Sequence, residues 1–241
     1  MMERGLIGGI LQAIGLVVVL VVLILGYLGF VPGLSDLMGA GPRDLGIHPS
    51  AADAQSATSK IGNNETTFAG TGGPIGSIKL EGSHHVDTIL TEEEITAAQN
   101  ARNYKYDPIR DVQVKINADN TVEVSGRISI PKARDYLTAI RIPQADIDKV
   151  LNIAKYLPGE AAFYAKGTVS MTNNVLSTDL SAVKIGNLDV SKDQLPSGTL
   201  AAIASTIISK NPGVSVDKFE IVDGKAHFVG TYPDKTYLEP N

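Results

Sequence analysis

Residues 111–126 read Asp111-Val-Gln-Val-Lys-Ile116, Asn117-Ala-Asp-Asn120 and Thr121-Val-Glu-Val-Ser-Gly126, and this stretch decides the fold. Apolar and polar side chains alternate in both arms, which is the pattern of strands that bury one face. Three of the four residues between the arms, Asn117, Asp119 and Asn120, are of types that favour turns. The stretch therefore predicts an antiparallel β-hairpin.

Two further hairpins are predicted toward the carboxyl end of the chain. One turns at Thr172-Asn-Asn174, and the other turns at Asp223-Gly224, a dipeptide typical of two-residue hairpin turns. Successive hairpins without a βαβ signature favour an antiparallel sheet. The predicted strands are Ala161–Met171, Val175–Ile185, Ser215–Val222 and Lys225–Thr231, with a short extra strand at Asn187–Val190.

A helix is predicted before each hairpin. The first begins at Thr91, because Thr91 and Glu94 have the spacing of a capping box. Leu90 and Ile95 have the spacing of the hydrophobic staple that accompanies such a cap. The other predicted helices are 143–157, 197–210 and two shorter ones at 50–60 and 132–140.

Together these elements predict an α+β fold. It consists of an N-terminal transmembrane helix and one domain of three helix-plus-hairpin units, which form an antiparallel sheet packed on amphipathic helices. The predicted divisions of the 241-residue chain are a cytoplasmic stub with the anchor at 1–31, a connector at 32–82 that is mostly flexible with a short helix at 50–60, an extracytoplasmic domain at 83–232 and a tail at 233–241.

The anchor is predicted from hydropathy. The segment from Gly5 to Phe30 has no charged side chain, and its centre is the apolar run Leu16–Leu25. As a helix it would be about 39 Å long, enough to cross the ~30 Å hydrocarbon core of a bilayer. A cleaved signal peptide has a shorter apolar region of about 7–15 residues. We therefore expect a single-pass protein of the cell membrane with its C-terminal domain outside the cytoplasm.

Three small residues in this segment recur at every fourth position, namely Gly5, Gly9 and Ala13. A ridge of this kind lets two membrane helices approach closely. It predicts self-association through the anchor, in addition to contact with the lipid bilayer.

Composition excludes several classes of protein. The chain has no cysteine, so it can form neither a disulfide nor a thiolate metal site. Its net charge of −5 argues against a nucleic-acid partner. The serines and acids show no catalytic or metal-binding pattern. We therefore predict a protein that is not an enzyme and has no metal or cofactor. The histidines are predicted to lie at the surface: His48, His84, His85 and His227.

Several stretches resemble landmarks of small bacterial envelope proteins: Leu90-Thr-Glu-Glu-Glu-Ile95, Val183-Lys-Ile-Gly-Asn-Leu-Asp-Val190, Ile221-Val-Asp-Gly-Lys-Ala-His-Phe-Val-Gly230 and the first hairpin. Those proteins combine one N-terminal anchor or signal with an outer domain similar to the tubular lipid-binding (TULIP-like) fold. The resemblance covers about residues 85–232. It implies a sheet curled around helices, with an apolar groove for acyl chains.

The leading hypothesis is therefore a membrane-anchored domain that binds a lipid or lipid-linked envelope component without chemistry. The alternative is a structural or protein-interaction module of the envelope, including a pilin-like subunit. A closed core and an apolar groove both fit helical stripes that face a sheet. The predicted groove residues lie on the second and third helices: Ile147, Val150, Leu151, Ala154, Leu200, Ile203 and Ile207.

Overall fold

The computed structural model of the protein describes residues 41–70, 72–151, 159–186, 188–189, 199–211 and 213–241. In this part of the chain there are eleven strands and five helices, and eight of the strands belong to one large sheet. The predicted α+β class is wrong, because the protein is mainly β. Its helices have 8 to 12 residues and cover the sheet only locally, whereas the strands run to 13 residues.

The transmembrane helix of the predicted fold is also not part of the observed one. No helix within the described ranges is long and apolar enough to cross a membrane. The predicted anchor, including Gly5, Gly9 and Ala13, lies outside the described residues.

We number the elements in chain order. The helices are α1 (Ala51–Ile61), α2 (Glu92–Asn100), α3 (Ile130–Ala139), α4 (Gln144–Leu151) and α5 (Thr199–Lys210). The strands are β1 (Asn64–Thr67), β2 (Ile78–Glu81), β3 (His84–Leu90), β4 (Ile109–Ile116), β5 (Val122–Ser129), β6 (Glu160–Thr172), β7 (Val175–Ile185), β8 (Leu188–Asp189), β9 (Ser215–Val222), β10 (Lys225–Tyr232) and β11 (Lys235–Leu238).

The large sheet has the strand order β3-β10-β9-β6-β5-β4, with β7 and β8 attached through β6. All of its pairings are antiparallel. The long strand β6 holds it together: β6 pairs with β5 over 160–167, with β7 over 163–172 and with β9 at Met171 and Thr172. The three predicted hairpins are confirmed as β4–β5, β6–β7 and β9–β10.

A second sheet of three strands has the order β1-β11-β2. Strand β11 lies in its centre, parallel to β1 and antiparallel to β2. The sequence predicts none of these strands, nor β3. Each strand of the small sheet has four residues, which is too short for an alternating pattern to be recognised. The C-terminal strand thereby ties two segments that precede α2 into the domain.

Two of the predicted helix starts are confirmed, whereas the helix predicted at 132–140 begins earlier, at Ile130. Thr91 and Glu94 form the capping box of α2, and Ser50 and Asp53 form that of α1. Helix α3 has Pro131 in its first turn. The predicted second helix is described as α4, and its last part, 152–158, lies outside the described residues.

One hydrophobic core cluster joins the helices to the inner faces of the sheets. A smaller cluster lies apart from it, where Leu45 and Ile47 pack on Tyr164. The backbone N–H groups of Leu45 and Ile47 both donate to Gln113 Oε1, at 2.7 and 3.3 Å. The segment 41–50 is therefore held against the large sheet. Core side chains that are almost fully buried include Tyr104, Tyr136, Tyr232, Phe163 and Phe228.

Helix α2 covers the edge strand β4 through three side chains spaced four residues apart. Glu92 accepts a hydrogen bond from the Ile116 N–H at 2.6 Å, and Thr96 accepts one from the Val114 N–H at 3.0 Å. Asn100 both accepts from the Val112 N–H and donates to its carbonyl, at 2.9 and 2.7 Å. The helix side chains thus take the place of a neighbouring strand, and α2 ends beside the beginning of β4.

Candidate functional site

A polar pocket of about 480 Å³ opens where α2 ends and β4 begins. The loop between these elements forms one wall, while the first turn of α3 and the first residue of β6 contribute to the others. Most of the side chains that line the pocket are polar or charged: Gln99, Asn100, Arg102, Tyr104, Asp107, Arg110, Asp111, Ser129, Lys132, Glu160 and Asn241.

Arg102 is the most deeply buried cation in the lining, since only 3% of its side chain is exposed. Its Nη1 lies 3.3 Å from Asp107 Oδ2, whereas its Nε and Nη2 are buried without a hydrogen-bond partner. Burial lowers the pKa of Arg102, but the combined effect of Asp107, Tyr136, Glu65 and Tyr104 raises it above the usual value. The guanidinium therefore stays charged, with two donors unsatisfied.

Gln99 lies in the last turn of α2 and is 5% exposed. Neither Nε2 nor Oε1 of its amide has a hydrogen-bond partner. Buried polar atoms are nearly always hydrogen-bonded in folded proteins. A buried amide with both ends unsatisfied, next to an arginine in the same state, therefore indicates a position that a bound molecule or ordered water completes.

The acidic side chains of the lining already have basic partners. Glu160 accepts a hydrogen bond from Arg110, and Asp111 lies 3.3 Å from Arg127 Nε. Asp107 pairs with Arg102 and also accepts from the Ile109 N–H at 3.2 Å. Burial raises the pKa of Asp107, and Arg102 opposes that rise. The unused hydrogen-bonding capacity of the pocket is therefore mainly that of donors.

The backbone at the pocket is irregular in a defined way. The β4–β5 register shifts between Arg110 and Gln113, and Asp111 has a φ of 53°. A non-glycine residue in this left-handed region is uncommon and is often found at bulges. Asn100 holds the bulge, because its amide bonds both backbone groups of Val112.

Glu65 of β1 lies behind this site and is 5% exposed. Burial raises the pKa of Glu65 to about 7, although the charge of Arg102 acts in the opposite direction. Its Oε2 has no hydrogen-bond partner. Burial also raises the pKa of Tyr104, whose hydroxyl lies 2.7 Å from that of Ser77. The neighbourhood of Arg102 is therefore buried and rich in ionisable groups.

The described residues form a smaller, apolar hollow of about 40 Å³ on the β5–β6–β7 part of the sheet. Val122, Val124, Phe163, Val169 and Leu180 contribute to its walls. This volume is well below the ~300–1,000 Å³ of typical small-molecule sites.

None of the predicted groove residues lines either pocket. Ile147 is buried in the main core with 1% of its surface exposed. Val150, Leu151, Leu200, Ile203 and Ile207 lie on α4 and α5, but their side chains are outside the described part, and so is the whole of Ala154. The groove therefore stays a prediction.

The histidines occupy separate places. His48 and His85 are exposed, as predicted. His84 is half-buried, with Nδ1 at 2.8 Å from Asp234 Oδ1 and Nε2 at 2.8 Å from the Ile61 carbonyl, so it joins α1 to the turn before β11. His227 Nε2 lies 2.8 Å from Asp87 Oδ1 on the neighbouring strand. Within the described ranges, no group of three or more histidine and acidic side chains could hold a metal ion.

Sequence reasoning did not predict Gln99, Arg102 or Asp107 as site residues. A charged residue in a connecting loop normally faces solvent, whereas only 3% of the Arg102 side chain is exposed. The short spacing of Arg102, Asp107, Arg110 and Asp111 is the signal that could have drawn attention to this loop.

Comparisons of the chain with protein-family models, with curated proteins and with solved structures find no match. The resemblance to TULIP-like envelope proteins therefore stays a prediction.

Proposed function

We propose that this protein is a membrane-anchored, non-catalytic binding domain, and that its ligand enters the polar pocket between α2, β4 and α3. The observation that carries the proposal is the pair of buried side chains Gln99 and Arg102, which belong to residues that line the pocket and have polar atoms without hydrogen-bond partners. An unsatisfied buried group is costly for folding and needs an explanation. A ligand that supplies the missing hydrogen bonds is such an explanation.

The size and position of the pocket also support this proposal. Its volume of about 480 Å³ lies within the range of small-molecule sites. Its walls come from the ends of helices and strands, so that the polar groups are held by the sheet and by the hydrogen bonds of Asn100. A rigid wall lowers the entropic cost of binding.

Attachment to a membrane rests on the apolar run Leu16–Leu25. The docking of Leu45 and Ile47 on the large sheet then limits the distance between anchor and domain. Nine residues lie between Val31 and Gly41, and the ten Cα-to-Cα steps span at most about 35 Å. We propose that the domain works near the outer surface of the bilayer, where a lipid-linked envelope component could present its polar head to the pocket.

The test uses a variant that fills the pocket. Ser129 lines the pocket and makes no side-chain capping bond to α3, so that Ser129→Tyr adds volume without removing a contact of the cap. Ser177→Tyr is the matched control, because Ser177 is exposed on β7. Both full-length variants are purified in neutral detergent and examined by native mass spectrometry for a co-purified molecule.

We expect a bound mass in the wild type and in Ser177→Tyr, and its loss in Ser129→Tyr. A ligand that survives in Ser129→Tyr would place binding elsewhere, for example in the predicted apolar groove. The proposal would be contradicted if no sample contains a ligand and extracts of membrane components do not stabilise the protein against unfolding. That result would favour the structural alternative.

A further inference from the structure

We infer that the ligand carries a carboxylate or phosphate group, which Arg102 binds through the Nε–Nη2 edge of its guanidinium. This inference rests on the proposed function of the same pocket and specifies the chemical class of its ligand. A free anionic metabolite and the head of an anionic lipid share this chemistry.

The free atoms of Arg102 form a matched pair. Its Nη1 is used by Asp107, whereas Nε and Nη2, which lie on one edge of the planar group, have no partner. Two parallel N–H bonds from such an edge fit the two oxygens of a carboxylate or phosphate. A neutral hydroxyl offers a single oxygen, which can accept from both N–H groups only through bent hydrogen bonds. The unsatisfied geometry is therefore that of an oxyanion site.

The acids near Arg102 do not supply these oxygens. Glu160 and Asp111 are paired with Arg110 and Arg127. Asp107 is held by Arg102 Nη1 and the Ile109 N–H. Glu65 also has an unpartnered oxygen, but it makes no ion pair with Arg102 within 4.0 Å, and burial raises its pKa to about 7. An oxyanion that enters from the pocket can therefore bring what the described side chains do not provide.

Two further groups suit an anion with a polar neighbour. Lys132, in the first turn of α3, has its Nζ 3.2 Å from the Asn241 side-chain oxygen and makes no ion pair with a described acid within 4.0 Å. Gln99 offers one free donor and one free acceptor. The ligand is thus expected to carry a hydroxyl or ammonium group beside its anionic group, since Gln99 Oε1 accepts a hydrogen bond.

The ends of the two helices oppose each other at this site. The end of α2 contributes partial negative charge, and the start of α3 contributes partial positive charge. Because these partial charges have opposite signs, selectivity for an anion depends on the side chains. Arg102 is paired with Asp107, so among the cations of the lining Lys132 is the one that no described acid approaches within 4.0 Å.

The experiment measures binding to the full chain in neutral detergent by calorimetry at constant ionic strength. The probes are inorganic phosphate, 2-hydroxysuccinate and, as a neutral comparison, glycerol. We expect saturable binding of phosphate or 2-hydroxysuccinate and none of glycerol. Arg102→Lys keeps the charge but lacks the two-donor edge, so that its affinity should fall at least about tenfold.

Two more variants leave the Arg102–Asp107 pair intact in case Arg102→Lys does not fold. Gln99→Leu and Lys132→Gln should each weaken anion binding about three- to tenfold. Arg134→Lys is the control, because Arg134 pairs with Asp148 on the surface and does not line the pocket. Anion binding that is equal in all variants would overturn the inference as an adventitious ion only.

A second arm identifies the source of the anion. Micelles containing phosphatidic acid are titrated with the wild type, and inorganic phosphate is added as competitor. Displacement by phosphate supports a lipid headgroup, while binding of free anions alone supports a soluble ligand. If Ser129→Tyr removes a co-purified ligand but no anionic probe binds, the inference fails and the proposed function stands. If neither ligand nor probe binds, both fail.

Discussion

Arg102, Asp107 and Glu65 form a buried cluster in which one cation lies near two acids. Arg102 Nη1 contacts Asp107 at 3.3 Å, whereas Glu65 makes no ion pair with it within 4.0 Å. Removing a charge from water costs several kcal/mol unless close partners compensate for it. Asp107 is the largest of the contributions that keep Arg102 charged, and Tyr136, Glu65 and Tyr104 add to it, while burial drives Glu65 toward its neutral form.

We predict that Glu65 makes the stability of the protein pH-dependent. Burial raises the pKa of Glu65 from 4.5 to about 7 in the folded state. The folded protein thus binds more protons than the unfolded chain between these values. The stabilisation is present below pH ~4.5 and is lost as the pH rises through ~7. The free energy of unfolding should fall by about 3 kcal/mol over this interval.

Glu65→Gln should remove this dependence, because the amide is neutral at every pH. Urea unfolding at pH 4.5 and pH 8, followed by circular dichroism, measures the change in free energy. Glu93→Gln, on the partly exposed face of α2, is the control and should behave like the wild type. The interpretation is wrong if the wild type and Glu65→Gln lose equal stability over this interval.

Gly167 is a second position where one residue constrains the sheet. The β6–β7 register shifts between Lys166 and Gly167, and a Cβ at Gly167 would lie 2.3 Å from the Asp179 carbonyl oxygen. Backbone atoms cannot move aside as a flexible side chain can. We predict that Gly167→Ala destabilises the fold by about 1–3 kcal/mol.

Thermal and urea unfolding measure the effect of Gly167→Ala. Gly73→Ala is the matched control, since an added Cβ at Gly73 has no atom within 4 Å. Equal stability of the two variants would contradict the prediction, because it would show that the β6–β7 pair can relax around an added methyl group at Gly167.

At the scale of elements, α2 and β4 fit each other because their repeats match. Four residues of helix rise about 6 Å, and two residues of strand extend about 6.8 Å. Glu92, Thr96 and Asn100 therefore meet Ile116, Val114 and Val112 in succession. Unpaired groups at a sheet edge favour aggregation, and α2 covers those of β4.

We predict that Thr96→Val costs about 1–3 kcal/mol of stability. Valine has the shape of threonine but has no hydroxyl oxygen to accept a hydrogen bond. The buried N–H of Val114 therefore loses its acceptor. Urea unfolding gives the change in free energy, and hydrogen exchange should show faster exchange at Val114. Thr138→Val on α3 is the control, because the Thr138 hydroxyl only bonds the Arg134 carbonyl at an exposed position. If Thr138→Val lowers the free energy of unfolding as much as Thr96→Val does, Thr96 has no special role in covering the edge of β4.

At the scale of the whole molecule, β11 connects the end of the chain to its early part. It pairs with β1 and β2, and Leu238 places a fully buried side chain in the main core. Lys105 and Glu239 form an ion pair at 2.5 Å that joins the α2–β4 loop to the residue after β11. The pocket loop is thus supported by the last residues of the chain.

We predict that Leu238→Ala destabilises the protein by about 2–5 kcal/mol, the usual cost of removing a buried leucine side chain. Hydrogen exchange should increase first in β1 and β2, which lose their central partner. Val175→Ala is the control, because 65% of Val175 is exposed. If hydrogen exchange instead increases equally over the whole large sheet, and not first in β1 and β2, β11 does not hold these two strands in place.

The local elements of this protein are determined by its sequence. The capping boxes of α1 and α2 depend on residues three apart, and the three hairpins depend on alternation and short turns. These are interactions between neighbours in the chain, so they can be predicted without knowing what packs around them. The apolar run 5–30 belongs to the same class of signal, and it lies outside the described residues.

The tertiary structure alone decided the small sheet, the mainly β class and the pocket. Strand β11 meets β1 across about 170 residues of sequence, as in the pairing of Lys235 with Asn64. Arg102 and Gln99 are buried where residues of α2, β4, α3 and β6 and the distant Asn241 come together. Such pairings and burial depend on contacts between distant parts of the chain, and no local pattern of side chains encodes them.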